Sequence, residues 1–306
     1  MLPGRLRAIA LMIGAVAAFA CMDGLLKFLS TRYPLIQVAA LRGATSLPFT
    51  LLPVLLSGRL RDLVPRRWPM HLLRGALYVV TLGCYIYGVR ALSLANVYAV
   101  FLAAPLLVAA LSVPLLRERL DWRNWLAILV GLGGVLAILR PTAAGFASSA
   151  ALIVLAGAIC YALSAIAVRV LTRTDTTVSV VFWTVGLMTV FALAIAAPTW
   201  RTIEPGHWRW LLALGAFGAT GQYLMTEAFR SAPPSVVVPF EYTSLLWGVA
   251  LDAAFWHVMP TAHVVLGGAI VIATGLYIIW RERSRAGKML ASSTADAVRS
   301  QEEARS

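Results

Sequence analysis

Apolar runs of about 20 residues, the length that crosses a bilayer as a helix, follow one another along almost the whole chain. A helix satisfies its own backbone hydrogen bonds, as a segment in hydrocarbon must. Of the 306 residues, 60% are hydrophobic and 13% are charged, whereas soluble domains carry about 25% charged residues. The sequence therefore predicts an all-α membrane protein.

Ten transmembrane helices are predicted, in two groups of five. Their ranges are 8–30, 35–57, 70–92, 95–116 and 122–139, then 149–171, 177–198, 208–229, 234–256 and 261–280. We predict a first five-helix repeat over 1–140, a second over 148–283, and a disordered cytoplasmic tail over 284–306. An odd number of helices per repeat inverts the second repeat. Inverted repeats are typical of transporters, with the substrate site between them.

The net charge of +13 could indicate nucleic-acid binding, but Lys and Arg lie in the short links and not in a separate basic domain. Most of them fall on one side of the membrane if the N-terminus is cytoplasmic, as in the group Arg59, Arg61, Arg66 and Arg67. Cytoplasmic links carry such an excess. We therefore predict that both termini are cytoplasmic and that the bilayer, and no nucleic acid, is the partner.

Three ionisable side chains are candidate gating or charge-pair residues near the outer ends of the first two helices. Asp23 and Lys27 are four residues apart and share a helix face. They form either a structural ion pair or charges that gate the outer vestibule. Arg42 either pairs with Asp23 or supports the packing of the two helices. Arg74, near the inner end of the third helix, is expected to reach the membrane interface.

Polar and aromatic side chains form stripes on otherwise apolar helices, and such a stripe is expected to face inward. Rings with a few polar groups suit organic solutes. The alternatives are helix packing for the small residues and lipid contact for the aromatic ones. The predicted substrate-cavity residues are Tyr78, Thr81, Tyr85, Tyr98, Phe101, Tyr161, Tyr223, Glu241, Tyr242 and Ser244.

Two prolines, Pro105 and Pro239, lie in the fourth helix of the first repeat and in its counterpart, the ninth helix. Proline bends a helix because it removes one backbone hydrogen bond. We expect bends at these positions, and such bends could open and close the bundle.

The sequence contains no motif typical of an enzyme or an ATPase. Its four histidines form no His-Glu-x-x-His zinc pair, and there is no Gly-x-Ser-x-Gly nucleophile motif or phosphate-binding loop. No repeated filter-like segment indicates a channel. We predict no catalytic residue, no metal and no cofactor. Transport would be driven by the solute's own gradient or by protons.

Short motifs recur in order from the first to the last predicted helix. They are Lys27, Pro34, Arg42, Ala91-Leu92-Ser93, Pro105, Glu118-Arg119-Leu120, Gly134, Gly221-Gln222-Tyr223, Ala228-Phe229-Arg230, Pro239-Phe240-Glu241-Tyr242-Thr243, Pro260, Gly267 and Gly275-Leu276-Tyr277. These motifs and their order along the chain resemble the pattern of the drug/metabolite transporter superfamily, in its ten-helix EamA-type branch. One departure is Trp256-His257, where that family often has an acidic residue.

The resemblance implies a basket of ten helices around a central cavity, with alternating access, in a bacterial inner membrane. It implies a small-molecule substrate and leaves the oligomeric state open, a monomer included. The bacterial exporters of aromatic amino acids are similar, so we expect export of amino acids, aromatic and other neutral ones, and of related metabolites. The alternatives are a carrier for a vitamin, a nucleoside-type metabolite or a drug, and a membrane-embedded enzyme.

Overall fold

The described part of the chain is helical, without a β-strand. The computed structural model describes residues 2–57, 60–117, 120–139, 149–231 and 234–281. The predicted tail over 284–306 and Glu118 lie outside these residues. The helices are α1 (Leu2–Ser30), α2 (Leu35–Ser57), α3 (Trp68–Ala91), α4 (Leu94–Phe101), α5 (Ala104–Leu116), α6 (Trp122–Leu139), α7 (Ser149–Leu171), α8 (Thr177–Ala196), α9 (Trp208–Ser231), α10 (Pro234–Val237), α11 (Ser244–Leu251) and α12 (Ala262–Arg281).

These helices form ten segments at the predicted positions, counting α4 with α5 and α10 with α11 as single spans of the described chain. Within the same residues, seven segments are long and apolar enough to cross a membrane, and Trp122–Ile138 is a shorter apolar helix. The prediction of an all-α membrane protein is confirmed. It succeeds because the length of an apolar run is fixed by the thickness of the bilayer.

Two spans are interrupted where the sequence predicts continuous helices over 95–116 and 234–256. In the fourth span a turn at Leu102 and Ala103 separates α4 from α5. Pro105 lies in the first turn of α5, where its missing N–H leaves no helix bond unmade. In the ninth span a 3-10 helix that contains Pro239, Val238–Thr243, joins α10 to α11, and a π-helical turn, Asp252–Trp256, follows.

The two halves of the chain interlock. Helix α1 packs against α9 and α11, α2 packs against α8 and α9, and α3 packs against α7 and α8. Helix α4 packs against α11, so the two interrupted spans are neighbours. Contacts between halves therefore dominate the bundle, and its centre is lined from both.

Hydrogen bonds in and near the links join residues that are predicted for the same side of the membrane. On the predicted outer side, Gln37 Nε2 donates to the carbonyl of Arg201 at 2.6 Å. On the predicted inner side, the backbone N–H of Arg66 donates to Asp175 Oδ1 at 2.6 Å, and Trp183 Nε1 donates to the carbonyl of Leu63 at 2.7 Å. Each bond joins residues of the links, or of helices next to them, that are predicted for the same side, which fits spans that alternate in direction.

Helices α6 and α12 cross at glycines. A Cβ at Gly134 would lie 2.9 Å from the Gly267 carbonyl oxygen, and one at Gly267 would lie 2.5 Å from the Gly134 carbonyl oxygen. The two backbones are therefore in contact. Small residues permit such close crossings between membrane helices, where packing replaces the hydrophobic effect.

Replacement of Gly267 by alanine should lower the thermal stability of the purified protein. The new Cβ would lie 2.5 Å from both the Gly134 carbonyl oxygen and Ile138 Cγ1, and overpacking of this kind costs about 1–3 kcal/mol. Gly133→Ala is the matched control, because nothing lies within 4 Å of a Cβ there. Equal unfolding midpoints for the two variants would contradict the close crossing.

Candidate functional site

A buried ion pair joins the first span to the ninth near their predicted outer ends. Lys27 Nζ lies 2.9 Å from Asp252 Oδ1, and the side chains are only 9% and 1% exposed. The ammonium also lies 4.3 Å from the centroid of the Trp256 ring, close enough for a cation–π interaction. Two charges at this depth are tolerated because each has a partner.

The same carboxylate also accepts a hydrogen bond from the fourth span. Asp252 Oδ2 accepts a hydrogen bond of 2.9 Å from the backbone N–H of Ala95, the second residue of α4. The first N–H groups of a helix have no acceptor within that helix. Asp252 thus neutralises Lys27 and caps α4, so one side chain ties three spans together.

The predicted pairing of Asp23 with Lys27 is not observed. No atoms of these two described side chains form an ion pair within 4 Å. Instead, Asp23 Oδ2 accepts a hydrogen bond of 2.8 Å from the Tyr98 hydroxyl. Arg42 acts on Asp23 electrostatically without a direct ion pair. The shared helix face is real, but the neighbouring spans supply closer partners.

Sequence reasoning missed Asp252. It placed the expected acidic position of the ninth helix at Trp256-His257, four residues further along. A signal was present, because Asp252 is a lone carboxylate in an apolar run, and an ionisable group there needs a partner. A search for one cation per intramembrane acid would have proposed Lys27.

Aromatic side chains form a row through the bundle. The rings of Tyr85 and Phe101 are 5.1 Å apart between centroids, and those of Phe101 and Tyr161 are 6.3 Å apart, both edge to face. Tyr161 is 43% exposed and interacts electrostatically with Arg74 and Tyr78 of α3 and with Glu241 of the ninth span. We call these three residues the aromatic row.

Four polar residues, Arg74, Tyr78, Thr81 and Tyr85, lie on one face of α3. Their spacings of four, three and four residues return to the same side of a helix. Tyr78 interacts electrostatically with Arg74 and Tyr161, so this face borders the aromatic row. The Nη1 of Arg74 donates to the carbonyl of Val180, in the first turn of α8, at 3.2 Å.

The ninth span brings Glu241 to the same region. Glu241 lies in the 3-10 helix, is half-buried, and interacts electrostatically with Tyr161. Ser244 is half-buried at the start of α11. A buried Tyr98 ring fits against Gly248, where a Cβ would lie 2.6 Å from the ring.

Two predicted cavity residues lie apart from this group. Tyr242 is buried against α12, and its hydroxyl occupies the space that a Cβ of Gly275 would take. Tyr223 is 70% exposed. Gly221 of α9 faces Phe19 of α1, and Tyr223 follows two residues later, about 200° around the helix. Tyr223 therefore points away from α1.

Double-mutant cycles on thermal stability should assign the partner of Lys27. Lys27→Gln and Asp252→Asn each leave one buried charge unpaired, so each should lower the unfolding midpoint, and the double variant should recover part of the loss. We expect a coupling of about 1–3 kcal/mol. The cycle of Lys27→Gln with Asp23→Asn is the control and should give a smaller coupling. A larger coupling to Asp23 would refute the assignment.

Comparison with known proteins was consistent with this geometry. The EamA-like transporter family matches twice, over residues 6–140 and 148–281. An S-adenosylmethionine uptake transporter of Rickettsia conorii is 26% identical over 85% of this chain and 88% of its own length. A pseudopaline exporter of Pseudomonas aeruginosa is 27% identical over 83% and 89%. A riboflavin transporter of Vibrio cholerae is 28% identical over 87% and 91%.

A solved crystal structure supports the fold. It matches with a TM-score of 0.58 at 19% identity, over 88% of this chain and 94% of its own. The family match covers both halves of the chain, and the described residues form the helical membrane fold that the family requires. The chain belongs to the EamA-like transporter family and is a membrane transporter of small molecules.

Proposed function

We propose that this transporter exports amino acids, aromatic and other neutral ones, and related metabolites across a bacterial inner membrane by alternating access. The observation that carries the proposal is the aromatic row of Tyr85, Phe101 and Tyr161, bordered by polar groups from both halves of the chain. Apolar and aromatic walls with a few polar groups bind small organic solutes. An aromatic side chain can stack along such a row while its polar end meets the neighbouring charges.

Each range matched by the family is, in this proposal, one of two inverted repeats, and the cavity lies between them. Substrate sites at the interface of inverted repeats are common among transporters, and discontinuous helices often form them. The interruptions of the fourth and ninth spans lie next to Phe101 and at Glu241. Both termini are, in this proposal, cytoplasmic, and the excess of Lys and Arg on one side supports that orientation.

A second candidate is a carrier for a nucleoside-type metabolite or a vitamin. The names of the relatives from Rickettsia conorii and Vibrio cholerae favour it. S-adenosylmethionine and riboflavin each join an aromatic ring system to a polar chain, so the aromatic row suits them as well. The pseudopaline exporter and the uptake transporter differ in direction. The direction of transport by this chain therefore has to be measured and is not inferred from the names of its relatives.

A counterflow panel in proteoliposomes distinguishes the candidates. We expect unlabelled tryptophan, phenylalanine and leucine to compete with labelled L-tryptophan. The aromatic row accepts their apolar side chains, and the polar groups accept the ammonium and carboxylate groups that all amino acids share. S-adenosylmethionine, riboflavin and adenosine form the second arm. Saturable competition by the second arm alone would replace the amino-acid proposal by the second candidate. Inside-out and right-side-out vesicles report the direction.

The ion pair of Lys27 and Asp252 is, in the same proposal, the closed outer gate. It joins α1, α4 and the ninth span, which belong to different halves of the chain. An outward-open state requires these spans to separate there, so the pair must break once in each transport cycle. Below it, the bond from Tyr98 to Asp23 joins α4 to α1 within the first half of the chain.

Cross-linking beside this gate should stop transport. In a background without Cys21, Cys84 and Cys160, we place cysteines at Gly24 and Leu251, since a Cβ at Gly24 would lie 3.9 Å from Leu251 Cδ1. A short, reductant-cleavable reagent should then reduce counterflow to background, and reductant should restore it. The matched control joins Val130→Cys to Ala273→Cys, which line one groove between α6 and α12. Unchanged flux in the Gly24–Leu251 cross-link would refute the gate.

A further inference from the structure

We infer that Arg74 and Glu241 hold the two charged ends of a zwitterionic substrate, with its carboxylate at Arg74 and its ammonium at Glu241. This inference rests on the proposed function and deepens it, because it assigns the groups that recognise the end shared by all amino acids. The remainder of the substrate lies along the aromatic row.

Arg74 has donors left over. It is half-buried on the face of α3 that borders the aromatic row, and its one hydrogen bond runs from Nη1 to the carbonyl of Val180. Its Nε is buried and has no partner among the described residues. No carboxylate of that part of the chain lies within ion-pair distance. A guanidinium presents its donors as a fork that fits a carboxylate.

Glu241 is the matching acceptor. It is half-buried in the 3-10 helix of the ninth span, and neither a hydrogen bond nor an ion pair is formed by its carboxylate within the described residues. An unpaired carboxylate inside a membrane protein is costly unless it faces water or a cationic partner. A substrate ammonium supplies both the charge and the donors.

Tyr161 links the two groups. It interacts electrostatically with Arg74, with Glu241 and with Tyr78, yet Arg74 and Glu241 form no ion pair with each other. A cation and an anion thus act on one aromatic residue without pairing with each other, and a molecule that carries both an anion and a cation complements the two. Because Arg74 belongs to the first half of the chain and Glu241 to the second, one substrate bridges the halves.

The ionisable groups at the predicted outer ends of the spans already interact with one another, in contrast to Arg74 and Glu241. Lys27 and Asp252 neutralise each other, and Asp23 accepts a hydrogen bond from Tyr98 while Arg42 acts on it electrostatically. A substrate that lacks the carboxylate would leave Arg74 unmatched, and one that lacks the ammonium would leave Glu241 unmatched. Buried groups left without partners reject such analogues strongly.

The test measures ligand-induced thermal stabilisation of the purified full-length protein by L-tryptophan, tryptamine and indole-3-propionate. The last two lack the carboxylate and the ammonium, respectively. For the wild type we expect half-maximal stabilisation by L-tryptophan at a concentration at least about tenfold below either analogue, which corresponds to one charge-assisted hydrogen bond.

The variants separate the two contacts. Arg74→Gln should raise the concentration of L-tryptophan that gives half-maximal stabilisation about 10- to 100-fold, and should leave the half-maximal concentration of tryptamine unchanged. Glu241→Gln should raise the half-maximal concentration of L-tryptophan by the same factor, and should leave that of indole-3-propionate unchanged. Arg209→Gln and Glu204→Gln, at the predicted outer surface, are the matched charge controls and should behave as the wild type. Arg74→Lys and Glu241→Asp replace any variant that fails to fold, and should keep part of the discrimination.

The outcomes distinguish this inference from the proposed function. Equal weakening of all three ligands, or no discrimination by the wild type, overturns the assignment of Arg74 and Glu241 even if L-tryptophan is transported. The expected binding pattern without flux in proteoliposomes overturns the proposed function and leaves the assignment standing. L-tryptophan that neither stabilises the protein nor is transported overturns both.

Discussion

The cost of a charge in hydrocarbon decides where the ionisable side chains of the spans lie. Lys27 can be buried in the last turn of α1 only because Asp252 of the ninth span meets it at 2.9 Å. Both carboxylate oxygens of Asp252 have partners, since the second oxygen caps the N-terminus of α4. Three spans are thereby fixed at one end by one carboxylate, and about one helical turn away Tyr98 contacts both Asp23 and Gly248.

The interrupted spans follow from a second constraint, the need of every backbone group for a partner. A helix end inside a membrane protein leaves N–H and carbonyl groups unpaired, and it persists only where other groups meet them. Asp252 serves α4 in this way, and the hydroxyl of Thr243 bonds to the carbonyl of Phe240 in the 3-10 helix. The interruptions occur at Phe101, whose ring contacts that of Tyr161, and at Glu241, which interacts electrostatically with Tyr161, so the backbone irregularity and the candidate site occur together.

The sequence predicted what depends on one helix at a time. The length of an apolar run locates a span, and spacings of three and four residues put Tyr78, Thr81 and Tyr85 on one face of α3. It failed where the answer depends on a neighbour. The partner of Lys27 is 225 positions away, and Tyr242 turns toward α12 because Gly275 lacks a Cβ. The position of Tyr223 depends on which side of α9 meets α1, and its motif did not contain that information.

Satisfied and unsatisfied charges have different consequences for alternating access. A ligand shifts a conformational equilibrium only by its difference in affinity between the two states. The ion pair of Lys27 and Asp252 is complete without substrate, so it stabilises the closed outer end whether or not the cavity is occupied. Arg74 and Glu241 are incomplete without a partner, and a molecule that bridges them joins the two halves of the chain. Substrate can therefore alter the balance of states through groups that lie apart from the gate, provided that the two halves move relative to each other.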